Sequence, residues 1–249
     1  MFRSFQRVLL IFPALLLCAC DNGPTAKQAS EQVQRQQPAE KKAVEPQHKA
    51  QRARVAVPIG TGFDYYVLSL SWSPTWCAGN DVSGRTEQCA ADASHGFIVH
   101  GLWPQNETGF PEYCRTSESD RIPERLGRTL FDIMPSMGLI GHEWRKHGSC
   151  SGLTQKDYFA VVRAAWDRLE IPPALKSIVR PKEAATDDIE TAFLAANPGL
   201  AKNAIAITCE ARFLEEVRIC YNKDLSFRSC PAVDARSCRS KSVTLPPIP

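Results

Sequence analysis

The sequence predicts an α+β fold in which a largely antiparallel sheet packs with several helices and disulfides stabilise the domain. Strand-like segments lie early, at residues 65–72 and 96–104, and late, at residues 203–221, whereas helical patterns lie between them. Such segregation is typical of α+β proteins, because strands that alternate with helices would instead indicate a parallel sheet. With 249 residues and 43% hydrophobic side chains, the chain can bury one good core, so we expect one folded domain.

Residues 1–20 have the features of an export signal. Two arginines precede an apolar run at residues 8–17. That run is too short to cross a bilayer, which takes about 20 residues, and its length fits a signal peptide. Leu17-Cys-Ala-Cys20 resembles the bacterial lipoprotein processing site, with Cys20 as the lipidated residue. We therefore expect an exported, periplasmic protein that is lipid-anchored to a bacterial membrane through Cys20; an ordinary cleaved secretory leader is the alternative.

Residues 21–59 form a predicted disordered tether between this leader and the domain at residues 60–249. The tether contains no aromatic residue, so it cannot bury enough apolar surface to offset the entropy that ordering would cost. Residues 1–55 hold nine Lys and Arg against four Asp and Glu, which leaves 21 basic and 23 acidic residues beyond them. Since the body is slightly acidic, any affinity for a polyanion must come from a local group of residues.

Two strands are predicted in the first third of the domain. The second strand, which Pro104 is expected to stop, carries His100 on the same face as Ile98 and Leu102. Alternation in the first strand, residues 65–72, places four apolar side chains on one face: Tyr66, Leu68, Leu70 and Trp72.

Helical patterns follow before the chain returns to strands. Residues 123–134 have helical character, and an amphipathic helix begins at Thr154, a predicted N-cap with an acidic residue three positions later. Another short helix covers residues 187–196. Residues 203–209 and 214–221 then alternate as strands.

Eight cysteines lie in the predicted domain, and an even set behind an export signal indicates disulfides formed in an oxidising compartment. A zinc site is the alternative, but zinc would favour short Cys-x-x-Cys pairs, and the closest two of these eight cysteines are Cys230 and Cys238. Cys77 and Cys89 bracket a loop rich in Gly, Asn and Asp, so a local disulfide between them is the simple pairing.

The densest group of reactive side chains is the stretch His142–His147, which contains two of the chain's five histidines together with Glu143 and Lys146. If the stretch is helical, steps of about 100° place these four side chains within one face, while Trp144 points the other way and can enter the core. A zinc hydrolase needs its two histidines at positions i and i+4. Here the second histidine is at i+5 and Lys146 occupies the ligand position, which argues against a metal.

Two other interpretations of this stretch differ in what they explain. A polar surface helix would account for either histidine, but it would not account for His100 on an apolar strand. Acid–base chemistry fits better, because imidazoles titrate near neutral pH, so that one can accept a proton while another donates one. Glu143 and Lys146 could stabilise charge that develops on a phosphoryl group or on a protonated imidazole.

Two segments, His100-Gly-Leu-Trp-Pro-Gln105 and His142-Glu-Trp-Arg-Lys-His-Gly-Ser-Cys150, resemble the active-site segments of the ribonuclease T2 family, which has bacterial periplasmic members. The resemblance extends over residues 60–238. It implies a metal-independent, cofactor-free endoribonuclease that cleaves single-stranded RNA with low base specificity, first to 2′,3′-cyclic phosphate and then to 3′-phosphate ends. DNA would not react, because the attacking group is the ribose 2′-hydroxyl.

The resemblance also implies a role for each reactive side chain. His147 would take the proton from the 2′-hydroxyl, His100 would protonate the leaving 5′-oxygen, and His142 would bind the phosphate. Glu143 and Lys146 would stabilise the charged transition state.

For substrate binding, Trp103 would stack on a base, although a core tryptophan beside a strand end is an equal alternative. Gln105 stands where many relatives carry a residue that helps to read the base, which leaves the base preference open. We expect a monomer that acts on RNA and contacts a membrane only through Cys20; an exported protein that binds RNA or phosphate esters without cutting is the alternative. The disulfides that the family implies are Cys77–Cys89, Cys114–Cys150, Cys209–Cys238 and Cys220–Cys230.

Overall fold

The computed structural model describes residues 56–249; the predicted leader, Cys20 and most of the tether lie outside them. None of the described helices is long and apolar enough to cross a membrane. The strands are β1 Tyr65–Trp72, β2 Phe97–Gln105, β3 Lys182–Ala185, β4 Ile205–Glu210, β5 Phe213–Tyr221 and β6 Ser242–Leu245. The α-helices are α1 Ser73–Asn80, α2 Glu124–Gly127, α3 Met137–Lys146, α4 Gln155–Arg168, α5 Thr186–Ala196 and α6 Pro231–Asp234.

The six strands form one sheet in the order β2-β1-β5-β6-β3, with β4 also paired to β5. Every pairing is antiparallel except a short parallel contact between β5 and β6. The prediction of an α+β fold with a largely antiparallel sheet is therefore confirmed. Strands β3 and β6 were not predicted, because four residues are too few to show an alternating pattern.

Strand β1 lies at the centre of the domain and is buried along its whole length. The four side chains predicted to share one face pack into the main core, together with Trp144 and Tyr158 from the helices. The alternate side chains Tyr65 and Val67 are also buried, in a smaller cluster that contains Cys220 and Cys230. Both faces of the sheet are thus covered at β1. This burial holds β1 and its neighbours β2 and β5, which carry site residues, in place.

Strand β2 differs from its predicted form in two ways. It continues through Pro104 to Gln105. Pro104 is tolerated because β2 is the first strand of the sheet order, and an edge strand can spare one N–H donor. In the pairing with β1, Ser69 lies opposite Gly101 and Leu70 opposite Val99, so His100 is an extra residue that forms a β-bulge.

The bulge overturns the prediction that His100 shares a face with Leu102. Leu102 is fully buried in the main core, whereas the side chain of His100 is partly exposed on the other side of the strand. Ile98 does lie with His100 along one groove, as predicted. Beyond the bulge the alternation is reversed, and the side chains after His100 exchange faces.

Two of the helices begin at residues whose side chains cap them. Ser136 caps α3, and its Oγ accepts hydrogen bonds from the amides of Gly138 and Leu139. Gly138 therefore lies in the first turn of the helix. Thr154 caps α4 through the amide of Asp157, as predicted.

Within residues 56–249 there are four disulfides, which are the ones that the family resemblance implies, and Cys77 is paired with Cys89 as the local loop predicts. Cys114–Cys150 joins the loop after β2 to the segment just beyond α3. The other two, Cys209–Cys238 and Cys220–Cys230, tie the end of the chain to β4 and β5.

Candidate active site

A cleft of about 330 Å³ lies between the sheet and α3. The structure brings all seven predicted catalytic and substrate-binding residues to it: His100, Trp103, Gln105, His142, Glu143, Lys146 and His147. We call the part formed by His100, Trp103, Glu216 and Arg218 the sheet side of the cleft, and the part formed by His142, Glu143, Lys146 and His147 the helix side.

The bulge at His100 decides what the sheet side presents to the cleft. In a regular strand, residues three apart point to opposite faces. The extra residue removes this opposition for His100 and Trp103, whose ring centroids lie 5.6 Å apart in the cleft. Bulges are common beside active sites because they can redirect one side chain in this way.

The helix side is built by the last turn of α3 and the residue after it. Trp144 is fully buried and donates from Nε1 to the carbonyl of Ser119, so it anchors the helix in the core as predicted. His147 follows the helix as its C-cap, and its amide donates to the carbonyl of Glu143. His142 is exposed whereas His147 is only 5% exposed, so the two histidines of one short segment occupy different environments.

Glu143 connects the two sides of the cleft. Its side chain is 1% exposed, and its Oε2 accepts a hydrogen bond of 2.8 Å from Trp103 Nε1. Its Oε1 lies 3.6 Å from His100 Nε2. This approach requires a glycine at Gly101, because a Cβ there would collide with Glu143 Oε2 and lie 2.8 Å from its carboxyl carbon.

Glu216, which lies on β5, was not among the predicted site residues. Its carboxylate is 4% exposed, and its Oε1 lies 2.5 Å from His100 Nδ1. Arg218 donates to the other oxygen, Oε2, from Nε at 2.8 Å and from Nη2 at 2.6 Å. The available signal was a carboxylate and a guanidinium two residues apart on a strand whose remaining pattern is apolar.

Trp103 is held in place by more than its hydrogen bond. Its ring centroid lies 5.2 Å from that of His147, with an angle of 31° between the planes. The guanidinium carbon of Arg218 lies 5.2 Å from the Trp103 centroid. Gln105 lines the cleft where β2 ends.

Comparison with known proteins identifies the family. The model of the ribonuclease T2 family matches residues 63–230. The chain belongs to the ribonuclease T2 family. This membership makes it an endoribonuclease, as the two histidine segments predict.

Two bacterial members of the family illustrate the likeness in sequence. A ribonuclease of Aeromonas hydrophila is 34% identical over 169 residues, which are 65% of this chain and 73% of the relative. A probable ribonuclease of Haemophilus influenzae is 30% identical over 195 residues, which are 74% of this chain and 64% of the relative.

Solved structures share the fold. An RNase-related protein from Calystegia sepium aligns with a TM-score of 0.60 at 23% identity, over 76% of this chain and all of that one. RNase NT in complex with 5′-AMP aligns with a TM-score of 0.56 at 22% identity, over 75% of this chain and 100% of that one. At these identities the likeness concerns the fold alone.

Within this ribonuclease T2 fold, the sheet side stabilises positive charge on its histidine. Burial by itself would lower the pKa of His100, but the hydrogen bond to Glu216 and the charges of Glu143 and Glu216 together raise it above its ordinary value. Burial would likewise raise the pKa of Glu216, but the hydrogen bond and charge of His100 and the charge of Arg218 lower it to about 2.

The helix side has the opposite effect on its histidine. Burial, reinforced by the charges of Lys146, His100 and His142, lowers the pKa of His147 to about 3. Among the described residues, His147 Nδ1 has no hydrogen-bond partner although it is buried. Burial also raises the pKa of Glu143 to about 7, against the opposing charge of His100.

No group of three or more His, Cys, Asp or Glu side chains within residues 56–249 is arranged to hold a metal ion. Lys146 and Arg218 line the cleft, so two cationic side chains can attract an anion there, although Arg218 is also hydrogen-bonded to Glu216. A phosphodiester is an anion of suitable size for such a cleft.

Proposed function

We propose that this endoribonuclease cleaves single-stranded RNA by acid–base catalysis, with His147 as the base and His100 as the acid, and that no metal ion takes part. The opposite environments of the two histidines carry the proposal. His147 is buried beside a cation and is held neutral, so it can accept a proton. His100 contacts two carboxylates and is held protonated, so it can donate one.

In the first step, His147 removes the proton of the ribose 2′-hydroxyl, and the 2′-oxygen attacks the adjacent phosphorus. The bond from phosphorus to the 5′-oxygen breaks, and His100 transfers its Nε2 proton to that oxygen. The products are a 2′,3′-cyclic phosphate and a free 5′-hydroxyl. DNA lacks the attacking hydroxyl, so it is not a substrate.

The second step returns both histidines to their starting states. His100, now neutral at Nε2, takes a proton from water, and the water oxygen attacks the cyclic phosphate. The bond from phosphorus to the 2′-oxygen breaks, and His147 returns its proton to that oxygen. The product carries a 3′-phosphate.

The remaining side chains of the helix side act on charge. Lys146 lines the cleft and contributes positive potential where a phosphate would lie, and the exposed ring of His142 beside it can donate a hydrogen bond, so we assign both to phosphate binding and transition-state stabilisation. Glu143, whose pKa is raised to about 7 by burial, can be protonated near neutral pH and can then donate a hydrogen bond or a proton to a phosphoryl oxygen.

Base binding is assigned to Trp103 and Gln105, which line the cleft beside the histidines. Aromatic stacking accepts any base, since every base has a π-face, and this supports low base specificity. Much of the Trp103 ring is covered by His147 and Arg218, so we expect a base to stack only on the part of the ring that they leave free.

The proposal is tested by incubating the purified protein with RNA and with DNA of the same sequence in EDTA, and by mapping the product ends. We expect RNA cleavage that first gives 2′,3′-cyclic phosphate ends. A requirement for divalent metal, or equal cleavage of DNA, would contradict the mechanism. A non-catalytic binding protein is not favoured, because binding alone does not need an acid and a base held in opposite protonation states.

Export and anchoring are a separate part of the proposal, based on residues 1–59. We propose a periplasmic monomer with a signal peptide at residues 1–20, a tether at 21–59 and lipid attachment at Cys20. A Cys20→Ser variant should be found in the soluble periplasmic fraction, whereas the unmodified chain should sediment with membranes. Unchanged membrane association of the variant would rule out lipidation.

A further inference from the structure

Glu216 is a buried carboxylate that contacts the proposed acid but cannot easily reach a substrate. It is 4% exposed, and each of its oxygens is engaged by a neighbour. Oε1 lies 2.5 Å from His100 Nδ1, and Ser71 Oγ approaches the same oxygen at 3.4 Å. Oε2 accepts both hydrogen bonds from Arg218.

We propose that Glu216, held by Arg218, is a positioning residue that fixes the ring orientation and the tautomer of His100, so that Nε2 is the atom that transfers the proton. The inference rests on the proposed role of His100 as the acid. It adds a carboxylate on β5, about 116 residues along the chain from His100, to the proton-transfer machinery.

The geometry determines the tautomer. Since a carboxylate only accepts hydrogen bonds, His100 must keep a proton on Nδ1 to satisfy Glu216 Oε1. When His100 loses a proton, Nε2 therefore loses it, and Nε2 faces the cleft near Glu143. The same neutral tautomer has its lone pair on Nε2, as the second step requires when His100 accepts a proton from water.

Arg218 keeps Glu216 available for this role. A buried carboxylate without a partner would tend to become protonated, and it could then no longer accept a strong hydrogen bond from His100. Two charge-assisted hydrogen bonds from one guanidinium hold Oε2 in place, while Oε1 contacts His100. Arg218 also lies against Trp103, so the pair joins β5 to the wall of the cleft.

The charged groups around His100 predict the effect of removing this carboxylate. From β5 it faces Glu216 and Arg218, and from the helix side it faces Glu143, His142 and His147. Loss of the Glu216 charge leaves Arg218 unpaired and Glu143 as the remaining carboxylate. The protonated form of His100 is then less stable, and its pKa falls.

The test compares Glu216→Gln with the unmodified full chain on two substrates. One is a dinucleotide, whose 5′-oxygen must be protonated as it leaves. The other is uridine 3′-(p-nitrophenyl phosphate), whose leaving group departs without a proton. We expect kcat on the dinucleotide to fall about 10-fold to 100-fold, part of the full effect of a general acid. On the second substrate we expect kcat to fall by less than about 3-fold. On the dinucleotide, the alkaline limb of the pH profile of kcat should move to lower pH.

The matched control is Glu210→Gln, which makes the same charge change at an exposed position on β4. Equal losses on both substrates would mean that Glu216 is only structural and would overturn the inference. So would a variant that behaves like the unmodified chain on both substrates. If the unmodified chain makes no cyclic phosphate ends at all, the proposed function itself fails, which is a different result.

A measurement on the unmodified chain covers the case in which Glu216→Gln does not fold. Nitrogen-15 NMR of the histidine rings identifies which nitrogen of neutral His100 carries the proton. We expect Nδ1–H for His100. A neutral His100 with its proton on Nε2 would overturn the inference.

Discussion

Each side of the cleft contains one histidine, and the charges around these two histidines are opposite in sign. On the sheet side, His100 contacts the carboxylates of Glu216 and Glu143. On the helix side, His147 is buried beside Lys146, and its Nδ1 has no hydrogen-bond partner among the described residues. The pKa of His100 is raised and the pKa of His147 is lowered. In the proposed mechanism, burial and the charges around two identical side chains distinguish the acid from the base.

The largest expected effect comes from removing either histidine. His100→Ala and His147→Ala should each lower kcat on a dinucleotide by about 10²-fold or more, because each removes one half of the proton transfer. A substrate with a nitrophenyl leaving group, which departs without a proton, sharpens the comparison. On this substrate the kcat of His147→Ala should stay low, whereas the kcat of His100→Ala should recover. The control is His95→Gln, which lies outside the cleft. Near-normal activity of either alanine variant would break the assignment of acid and base.

The contact between the two sides depends on Gly101. Gly101→Ala should lower kcat by about 10-fold and stability by roughly 1–3 kcal/mol, because the new methyl group collides with Glu143. Steady-state kinetics and urea unfolding measure the two effects. The matched control is Gly79→Ala on α1, where a Cβ meets nothing within 4 Å. Equal behaviour of the two variants would mean that Glu143 moves away freely and does not join the two sides.

Two disulfides, one near each side of the cleft, can be removed separately to destabilise one side at a time. Cys114–Cys150 lies beside the helix side, and Cys209–Cys238 joins β4, which pairs with β5 of the sheet side, to the segment after α6. Replacing either pair with serines should cost about 2–4 kcal/mol of stability. Only the first replacement should also lower kcat at 25 °C, by a few-fold, because His147 lies three residues before Cys150. An equal loss of kcat in both double variants would show that the two sides are not mechanically separate.

The smallest expected effect concerns stability against pH. The pKa of His147 is about 3 in the folded chain and has the ordinary value of about 6.5 when unfolded. Between these values the unfolded chain binds a proton that the folded chain does not, so stability falls as the pH decreases from 6.5. His147→Gln should make the urea midpoint less dependent on pH between 6.5 and 4.5. No change in this slope would show that His147 is not held neutral by burial.

Much of the helix side was predictable because its residues are neighbours in sequence. Spacing within less than two turns brings Glu143, Lys146 and the two histidines to one cleft, and the same spacing sends Trp144 into the core. The alternation of β1 also held, since its core-facing side chains follow the period of a strand. Local periodicity was sufficient wherever the backbone stayed regular.

The sheet side was less predictable because its geometry depends on strands that are far apart in sequence. An alternating pattern cannot reveal an extra residue, so the bulge that turns His100 away from Leu102 appeared only with the pairing of β1 and β2. Glu216 had no visible function until the strand order brought β5 next to β1 and its carboxylate to His100.

The sequence by itself therefore determined the family, the α+β class and the reactive side chains, because short-range spacing and residue chemistry encode them. The tertiary structure decided which histidine is surrounded by carboxylates and which by cations. That difference arises from burial and from charges contributed by β2, α3 and β5 together, and electrostatic interactions act through space and not along the chain.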